Sequence, residues 1–212
     1  MGCLTFVLSF IVSMVVYAIP ERIVQAMTKV IFGMTMSLDG FISDADGNIS
    51  MLYPNHQEFG KSEIMQEAVR DTGAVIMGRR TFELAGDPDH YAADYEFQVP
   101  IFIVTHTAPD KRPKENERLS FTFVDEIGKA VQSAKQAAGD RDVTVVGGVS
   151  IGQQLLKAGL VDELQIGIMP LLLGDGQKLF DGLGELPVTL EKTRVIETGA
   201  RTDIFFAVNR KK

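Results

Sequence analysis

Cysteine, tryptophan and histidine are scarce in this chain, and their scarcity excludes several classes of protein. The sequence has one cysteine, Cys3, and no tryptophan. A disulfide framework within the chain and a cysteine-rich zinc site are excluded, because both need several thiols. The three histidines, His56, His90 and His106, do not have the spacing of metal ligands. We therefore expect neither a structural nor a catalytic metal.

Positive charge and the common nucleotide-binding loops are also lacking. The chain carries 21 Lys and Arg against 28 Asp and Glu, a net charge of −7, which argues against nucleic acid as a partner. Neither the GxGxxG fingerprint of Rossmann domains nor a Walker A loop occurs in the sequence. A bound dinucleotide would therefore need a different arrangement of glycines.

Residues 1–19 contain no charged side chain and are almost wholly apolar. Their length is near the minimum for a membrane span, whereas a signal peptide would need a positive segment at its start. A myristoylation pattern fails because Phe6 stands where Ser or Thr is required. Met27 directly precedes a strand candidate, so translation starting there is a further reading. We divide the chain into an apolar extension, 1–26, and one domain, 27–212. We expect a cytoplasmic protein unless the extension is a genuine anchor or export signal.

Strand candidates alternate with helix candidates along the domain. Apolar segments typical of buried strands are 29–37, 74–77, 100–104, 121–124, 143–146 and 165–169. Amphipathic patterns with stop signals predict helices over 59–70, 125–139 and 150–158. Two further strands, 188–195 and 204–208, flank a turn at Thr198 and Gly199. This order predicts an α/β fold, with a mostly parallel central sheet flanked by helices and an antiparallel C-terminal strand pair.

The segment Val143–Gln153 (VTVVGGVSIGQ) is the stretch around which we expect the sheet to be organised. It predicts a buried strand, a turn at Gly147 and Gly148, and a helix start in which Ser150 and Gln153 form a capping box. A helix N-terminus after glycines is a natural anion site, because its amides and dipole attract negative charge and no side chain blocks the approach.

Two more strand ends carry groups suited to phosphate. Gly78 follows a buried strand and is followed by Arg79 and Arg80, which can clamp a phosphate or lie in solvent as ordinary surface arginines. Thr105 and His106 close the next strand, where they can hold a second phosphate or simply form a turn.

Three of these segments resemble dihydrofolate reductases. Met77–Glu83 (MGRRTFE) is similar to the Met-Gly-Arg-x-Thr-Trp/Phe-Glu segment of that family. Ile103–Thr107 (IVTHT) is similar to the next strand and its cofactor-binding end, and Val146–Ile151 (VGGVSI) resembles the Gly-Gly turn.

Three other segments resemble a sister group more closely. They are Ser37–Ile42 (SLDGFI), Leu160–Leu164 (LVDEL) and Pro170–Phe180 (PLLLGDGQKLF). The sister group is the reductase domain at the C-terminus of the bifunctional riboflavin-biosynthesis deaminase–reductase, together with its stand-alone relatives. The resemblance spans about residues 28–209, with the motifs in the right order.

The resemblance implies a dihydrofolate-reductase-like fold, a homodimer and NADPH as cofactor. Matched by motif position, four groups of residues would lie at the cofactor. At the phosphates these are Gly78, Arg79, Arg80 and Thr81, and at the pyrophosphate they are Gly147, Gly148, Val149 and Ser150. Near the adenosine ribose and its 2′-phosphate are Thr105 and His106, and along the nicotinamide are Met34, Thr35 and Met36.

The implied activity is hydride transfer to a small heterocyclic or carbonyl/imine substrate, as in 5-amino-6-(5-phosphoribosylamino)uracil reductase. Asp39 and Asp175 are the candidate proton donors, with His56 and Glu58 behind them. Each acid can instead be a turn residue that binds backbone amides.

Two departures from the family pattern concern the substrate. The first helix has no clear counterpart of the substrate-binding carboxylate of dihydrofolate reductases, which disfavours folate as substrate. The loop Asp87–Tyr91 has no Lys or Arg for a ribosyl phosphate. A non-catalytic NADP(H)-binding module is therefore the alternative function.

Overall fold

The computed structural model describes residues 28–184 and 188–209, apart from the side chain of His56. Its strands, in chain order, are β1 (Val30–Ser37), β2 (Phe41–Ser43), β3 (Thr72–Gly78), β4 (Ile101–Val104), β5 (Phe121–Val124), β6 (Asp142–Val146), β7 (Glu163–Met169), β8 (Gln177–Lys178), β9 (Thr189–Thr198) and β10 (Arg201–Asn209). Its α-helices are α1 (His56–Gly60), α2 (Glu63–Asp71), α3 (Arg79–Glu83), α4 (His90–Asp94), α5 (Ile127–Ala138) and α6 (Val149–Lys157), and a 3-10 helix spans Ser50–Leu52.

Eight strands form one sheet in the order β5-β4-β3-β6-β1-β7-β10-β9. The pairs from β5 to β7 are all parallel, whereas β10 runs antiparallel to both β7 and β9. The predicted parallel sheet with an antiparallel C-terminal pair is therefore confirmed. A second sheet, which the sequence did not predict, is the short antiparallel pair of β2 and β8.

Helices pack on both faces of the large sheet because its central strands are apolar on both sides. On one face Phe32 and Val145 pack with α5 and α6, as shown by the contacts of Val131 and Leu155. On the other face the core contains Val75, Met77, Ile101 and Ile103, which pack with Phe82 and Tyr91 and with the apolar side of α2. Burial on both faces is what a central parallel sheet requires.

The starts of three helices differ from the sequence-based expectation. The segment 59–70 breaks into α1 and α2, because Ser62 accepts a hydrogen bond from the amide of Met65 at 3.3 Å and begins a new helix. Asp125 does not cap α5, since the residue at that position is Glu126, without a side-chain hydrogen bond.

The predicted capping box at Ser150 is wrong. Helix α6 begins two residues earlier than that pattern requires, with Gly148 as its N-cap at a φ of +71°. Ser150 instead accepts a hydrogen bond from the Gln154 amide at 3.2 Å, and Gln153 donates to the Leu179 carbonyl at 2.9 Å. A glycine can adopt the left-handed conformation that starts the helix here, which makes a side-chain cap unnecessary.

The extension 1–26 lies outside the described residues, so its three readings stay open. Within 28–184 and 188–209, no helix is long and apolar enough to cross a membrane.

Candidate functional site

The predicted phosphate-binding residues gather at one edge of the sheet. Strands β4, β3, β6 and β1 are neighbours and run parallel, so their carboxyl ends meet at the same edge. Ligands of open parallel sheets bind at this edge, outside the strand ends. The turns after these strands therefore form one candidate cofactor site.

The turn after β3 and the turn after β6 are in direct contact. Gly147 has a φ of +61°, and a Cβ on it would lie 2.7 Å from Thr81 Cγ2. A Cβ on Gly78 would lie 3.0 Å from the Ile151 side chain. Glycine is therefore required at Gly147 for conformation and for space, and the two strand–turn–helix junctions form a single cradle.

The N-terminus of α6 contributes the charge of this cradle. Gly148 is its N-cap, Val149 is buried and Ser150 is exposed. The first amides of a helix have no acceptor within it and carry the positive end of the helix dipole. An anion at this position would meet donors on α6 and a floor without side chains.

Arg79 and Arg80 lie beside this cradle at the start of α3, and both are exposed. Arg79 Nε donates to Glu83 Oε1 at 2.6 Å, one helical turn further along. This pair is half exposed on both sides, so its contribution to stability is small and the guanidinium can exchange partners with a ligand.

Thr105 and His106 follow β4, the neighbour of β3. Thr105 Oγ1 donates to the Thr107 carbonyl at 2.8 Å, which makes a local turn, and His106 is exposed. The structure thus places both residues at the same edge as Arg79, and their role at a cofactor stays a prediction.

The segment Met34–Met36 lies in β1, between β6 and β7 at the centre of the sheet. Thr35 is 3% exposed, while Met34 and Met36 are half-buried against the core. This backbone lies next to the carboxyl edge, where the resemblance places the nicotinamide.

Asp39 and Asp175 are brought together in adjacent loops. Asp39 accepts hydrogen bonds from Ser37 Oγ at 2.5 Å and from the amides of Leu173 and Gly174 at 3.2 and 2.8 Å. These bonds, led by that of Ser37, lower the pKa of Asp39, although partial desolvation opposes them.

Asp175 is exposed and accepts from the amide of Gly176 at 2.7 Å. The contacts of both acids favour the turn role, and proton donation stays a prediction. His56 begins α1, and Glu58 is exposed in the same helix.

A groove of about 780 Å³ lies at the other end of the sheet. Its walls include Ile64 and Ala68 of α2, Lys29 directly before β1, and Phe205 of β10. It opens at the amino ends of the parallel strands, away from the glycine cradle, so it is not the phosphate site.

Sequence reasoning missed a group of residues near this groove: Phe59, Gly167, Arg201 and Asp203. Arg201 and Asp203 form an ion pair at 2.5 Å whose side chains are 12% and 6% exposed. Two signals were available in the sequence. A lone glycine inside an apolar strand indicates close approach of another group. Charged residues two apart in a strand share one face.

The strand order, the parallel core with its antiparallel edge and the glycine cradle together define a dihydrofolate-reductase-like α/β protein. The RibD C-terminal domain family matches residues 28–202 of this sequence. The chain belongs to that family, as the motifs predicted.

Solved structures share this fold. A protein from Shewanella sp. PV-4, provisionally assigned to riboflavin biosynthesis, has a TM-score of 0.68 and 23% identity, covering 86% of this chain and 100% of that one. Dihydrofolate reductase from Enterococcus faecalis, complexed with NADP(H), has a TM-score of 0.58 and 14% identity, covering 87% and 98%.

A relative of similar length is known by sequence. The uncharacterized protein YyaP of Bacillus subtilis (strain 168) is 24% identical over 176 residues, which cover 81% of this chain and 90% of the relative.

Proposed function

We propose that this protein is an NADPH-dependent reductase acting on a small heterocyclic or carbonyl/imine substrate. The observation that carries the proposal is the cradle at the carboxyl edge, where the turns at Gly78 and at Gly147 and Gly148 pack directly against each other at the N-terminus of α6. The cradle lies between β1, which would line the nicotinamide, and β4, which would approach the adenosine end.

The charges around the cradle support a phosphorylated ligand. The N-terminus of α6 offers amides to a pyrophosphate, and Arg79 and Arg80 offer guanidinium groups to a further phosphate. We infer NADPH rather than NADH because Arg79 and the Thr105 turn lie at the same edge of the sheet, and an arginine beside the ribose can accommodate an extra 2′-phosphate.

Bound NADPH would supply a hydride, that is, a proton with an electron pair, to an electrophilic carbon of the substrate. The chain's own contribution is to hold the two reactants in line and to exclude water. The heteroatom that gains negative charge then takes a proton, and of the two candidate donors Asp175 is the one we propose, because the lowered pKa of Asp39 favours its ionised form. Family membership and the NADP(H)-bound dihydrofolate reductase that shares the fold support this reading.

The test separates the enzyme from a non-catalytic NADP(H)-binding module. Calorimetry would measure NADPH and NADH binding, and the reduced-nicotinamide absorbance would follow turnover with pyrimidine, pteridine and simple carbonyl compounds. We expect binding that favours NADPH and oxidation with one substrate class. NADPH binding without turnover on any of them would favour the module, and no binding would contradict both. We also propose that the reductase works in the cytoplasm.

A further inference from the structure

The faces of β1, β7 and β10 carry aligned rows of residues, because the strands pair in register. One row joins Gly33, Gln165 and Phe205, and the next joins Thr35, Gly167 and Asp203. Alternate residues of a strand point to one face, so both rows belong to the same side of the sheet. Gln165 and Phe205 also line the groove, which therefore adjoins the row of Asp203.

Asp203 is a buried carboxylate that is only half satisfied. Arg201 donates from Nε at 2.8 Å and from Nη2 at 2.5 Å, and both bonds go to Oδ1. Among the described residues Oδ2 has no hydrogen-bond partner, although Asp203 is only 4% exposed.

A buried acceptor without a hydrogen-bond partner destabilises the folded protein, so its presence points to a role other than stability. Leaving such an acceptor without a hydrogen bond typically lowers the stability of the fold by about 1–3 kcal/mol, and by more if the group is charged. Burial raises the pKa of Asp203, and the neighbouring Arg201 works against that rise. An oxygen of this kind is suited to accept a hydrogen bond from a ligand that is bound only part of the time.

Arg201 is held in place from two sides. A Cβ at Gly167 would lie 2.2 Å from Arg201 Nε, so the guanidinium rests directly on the backbone of β7. The ring of Phe59 covers the guanidinium, with 4.2 Å between the guanidinium carbon and the ring centroid. Arg201 is thus a positioning residue, which orients Asp203 and leaves Oδ2 unpaired.

Space for a flat ligand exists on the same face. A Cβ at Gly33 would meet only the Gln165 carbonyl, at 4.0 Å, so the surface of β1 beside this row is open. Gly33 therefore leaves room for a ligand beside Gly167 on the neighbouring strand, whose surface the Arg201 guanidinium already covers.

The charge of the adjoining groove disfavours a phosphorylated ligand. Three cations line it, and each is paired with a carboxylate: Lys29 with Glu163 at 3.3 Å, Lys135 with Asp162 at 3.3 Å and Arg194 with Glu67 at 2.6 Å. Asp71 and Asp142 line it as well, so carboxylates outnumber cations. A phosphate would have to displace one of these pairs.

We propose that Asp203 anchors the substrate, and that the substrate is a flat, non-phosphorylated ring whose edge presents N–H donors to Oδ2. The ring would lie over Gly33, and Arg201 and Phe59 would hold the Asp203 carboxylate in the orientation that binds it. This inference rests on the proposed reductase function for its biological meaning, but the binding site itself is independent of NADPH.

The first test needs no variant. Calorimetry compares 2,4-diaminopyrimidine, which presents N–H donors, with 2,4-dimethoxypyrimidine, which presents none, on the protein alone and saturated with NADP+. We expect the diamino compound to bind at least about 10-fold more tightly, the effect of one hydrogen bond to a charged group. Equal binding, or no binding of the diamino compound, overturns the proposal. Tighter binding of uridine monophosphate than of uridine to the NADP+-saturated protein overturns its non-phosphorylated part.

The second test uses Asp203→Asn, which keeps the shape and an acceptor for Arg201. We expect it to abolish the preference for the diamino compound while NADPH affinity stays within about twofold. Asp140→Asn, at an exposed carboxyl before β6, is the matched control and should keep the preference. A preserved preference in Asp203→Asn would show that the pair is only structural. Failure to bind NADPH in the wild type would instead contradict the reductase function and leave the probe comparison interpretable.

Discussion

For Arg79, the sequence predicted the position in the fold but not the residue with which it pairs. Its position after β3 was predicted, but in the structure it pairs with Glu83 rather than with solvent. The pair is half exposed, so breaking it for a phosphate costs little. Arg79 is therefore the side chain whose removal tests the proposed cofactor site most directly.

We predict that Arg79→Ala weakens NADPH binding by about 1–3 kcal/mol, the range for a charge-assisted contact. If Arg79 contacts the 2′-phosphate, the loss should be much smaller for NADH, which lacks that group. Calorimetry on both cofactors measures the difference. Arg118→Ala is the control, because Arg118 is exposed before β5 at the opposite edge. An unchanged NADPH affinity in Arg79→Ala would refute the assignment.

Asp39 leads to a prediction about pH. The hydrogen bond from Ser37, followed by those from Gly174 and Leu173, lowers its pKa in the folded protein. The ionised carboxylate therefore stabilises the fold above its ordinary pKa of about 4, and this contribution is lost as the pH falls through the lower folded-state value. Asp39→Asn should lower the melting temperature at neutral pH, and the difference should narrow near pH 3. A difference that persists at low pH would mean that charge is not its origin.

At the scale of elements, the turn between β6 and α6 depends on one close approach. We predict that Gly147→Ala destabilises the protein more than Gly159→Ala. Both positions have positive φ, which costs a non-glycine residue about 1–2 kcal/mol, but only Gly147 has a neighbour within 4 Å, Thr81. Overpacking should add about 1–3 kcal/mol.

Urea denaturation of the two turn variants measures the difference. Adding Thr81→Ala to Gly147→Ala should recover the steric part, because the two nearest atoms, Thr81 Cγ2 and Oγ1, would be gone. Equal losses of stability in Gly147→Ala and Gly159→Ala would show that the turn after β6 is not in close contact with Thr81.

Helices α5 and α6 each contain a glycine, and replacing these two glycines by alanine should change the stability of the protein in opposite directions. A Cβ at Gly152 would lie 2.0 Å from the buried ring of Phe32, so Gly152→Ala should destabilise by about 1–3 kcal/mol or more, despite its better helix propensity. At Gly128 the nearest atom is Glu126 Oε1 at 3.5 Å, so Gly128→Ala should stabilise by up to about 1 kcal/mol. Thermal and urea unfolding measure both, and stabilisation by Gly152→Ala would contradict the packing of α6 on β1.

At the scale of the whole molecule, the sheet ends in an exposed edge. Strand β9 is the outermost strand, and its apolar side chains Leu190 and Val195 are 42% and 47% exposed, as is Val188 just before it, at 38%. An edge strand presents unpaired backbone groups, and exposed apolar side chains on it favour association unless something covers them. We propose that a second copy of this chain covers it, which gives the homodimer that the family resemblance implies.

We predict that Leu190→Lys with Val195→Lys turns the dimer into a monomer, because two charges would be buried at the interface. Sedimentation equilibrium measures the mass. Met51→Lys, at another exposed apolar residue, is the control and should leave the dimer intact. A wild-type protein that is monomeric at all concentrations would contradict the proposal.

The sequence by itself determined the α/β class, the mostly parallel arrangement of the strands and the positions of the glycine turns. These features are local, since apolar runs, turn glycines and helix periodicity act over a few neighbouring residues. The helix starts were less well predicted, because Gly148 begins α6 by its backbone conformation and Ser62 begins α2 by a side-chain cap inside a segment that we predicted as one helix.

Only the tertiary structure decided which distant groups meet. Strand register sets Thr35, Gly167 and Asp203 side by side, although they are far apart in the chain. The same register rests Arg201 on Gly167 and leaves one oxygen of Asp203 without a partner. Side-chain contacts of this kind depend on strand order and burial, which no short stretch of sequence encodes. The candidate cofactor edge was therefore foreseeable from the sequence, and the candidate substrate anchor was not.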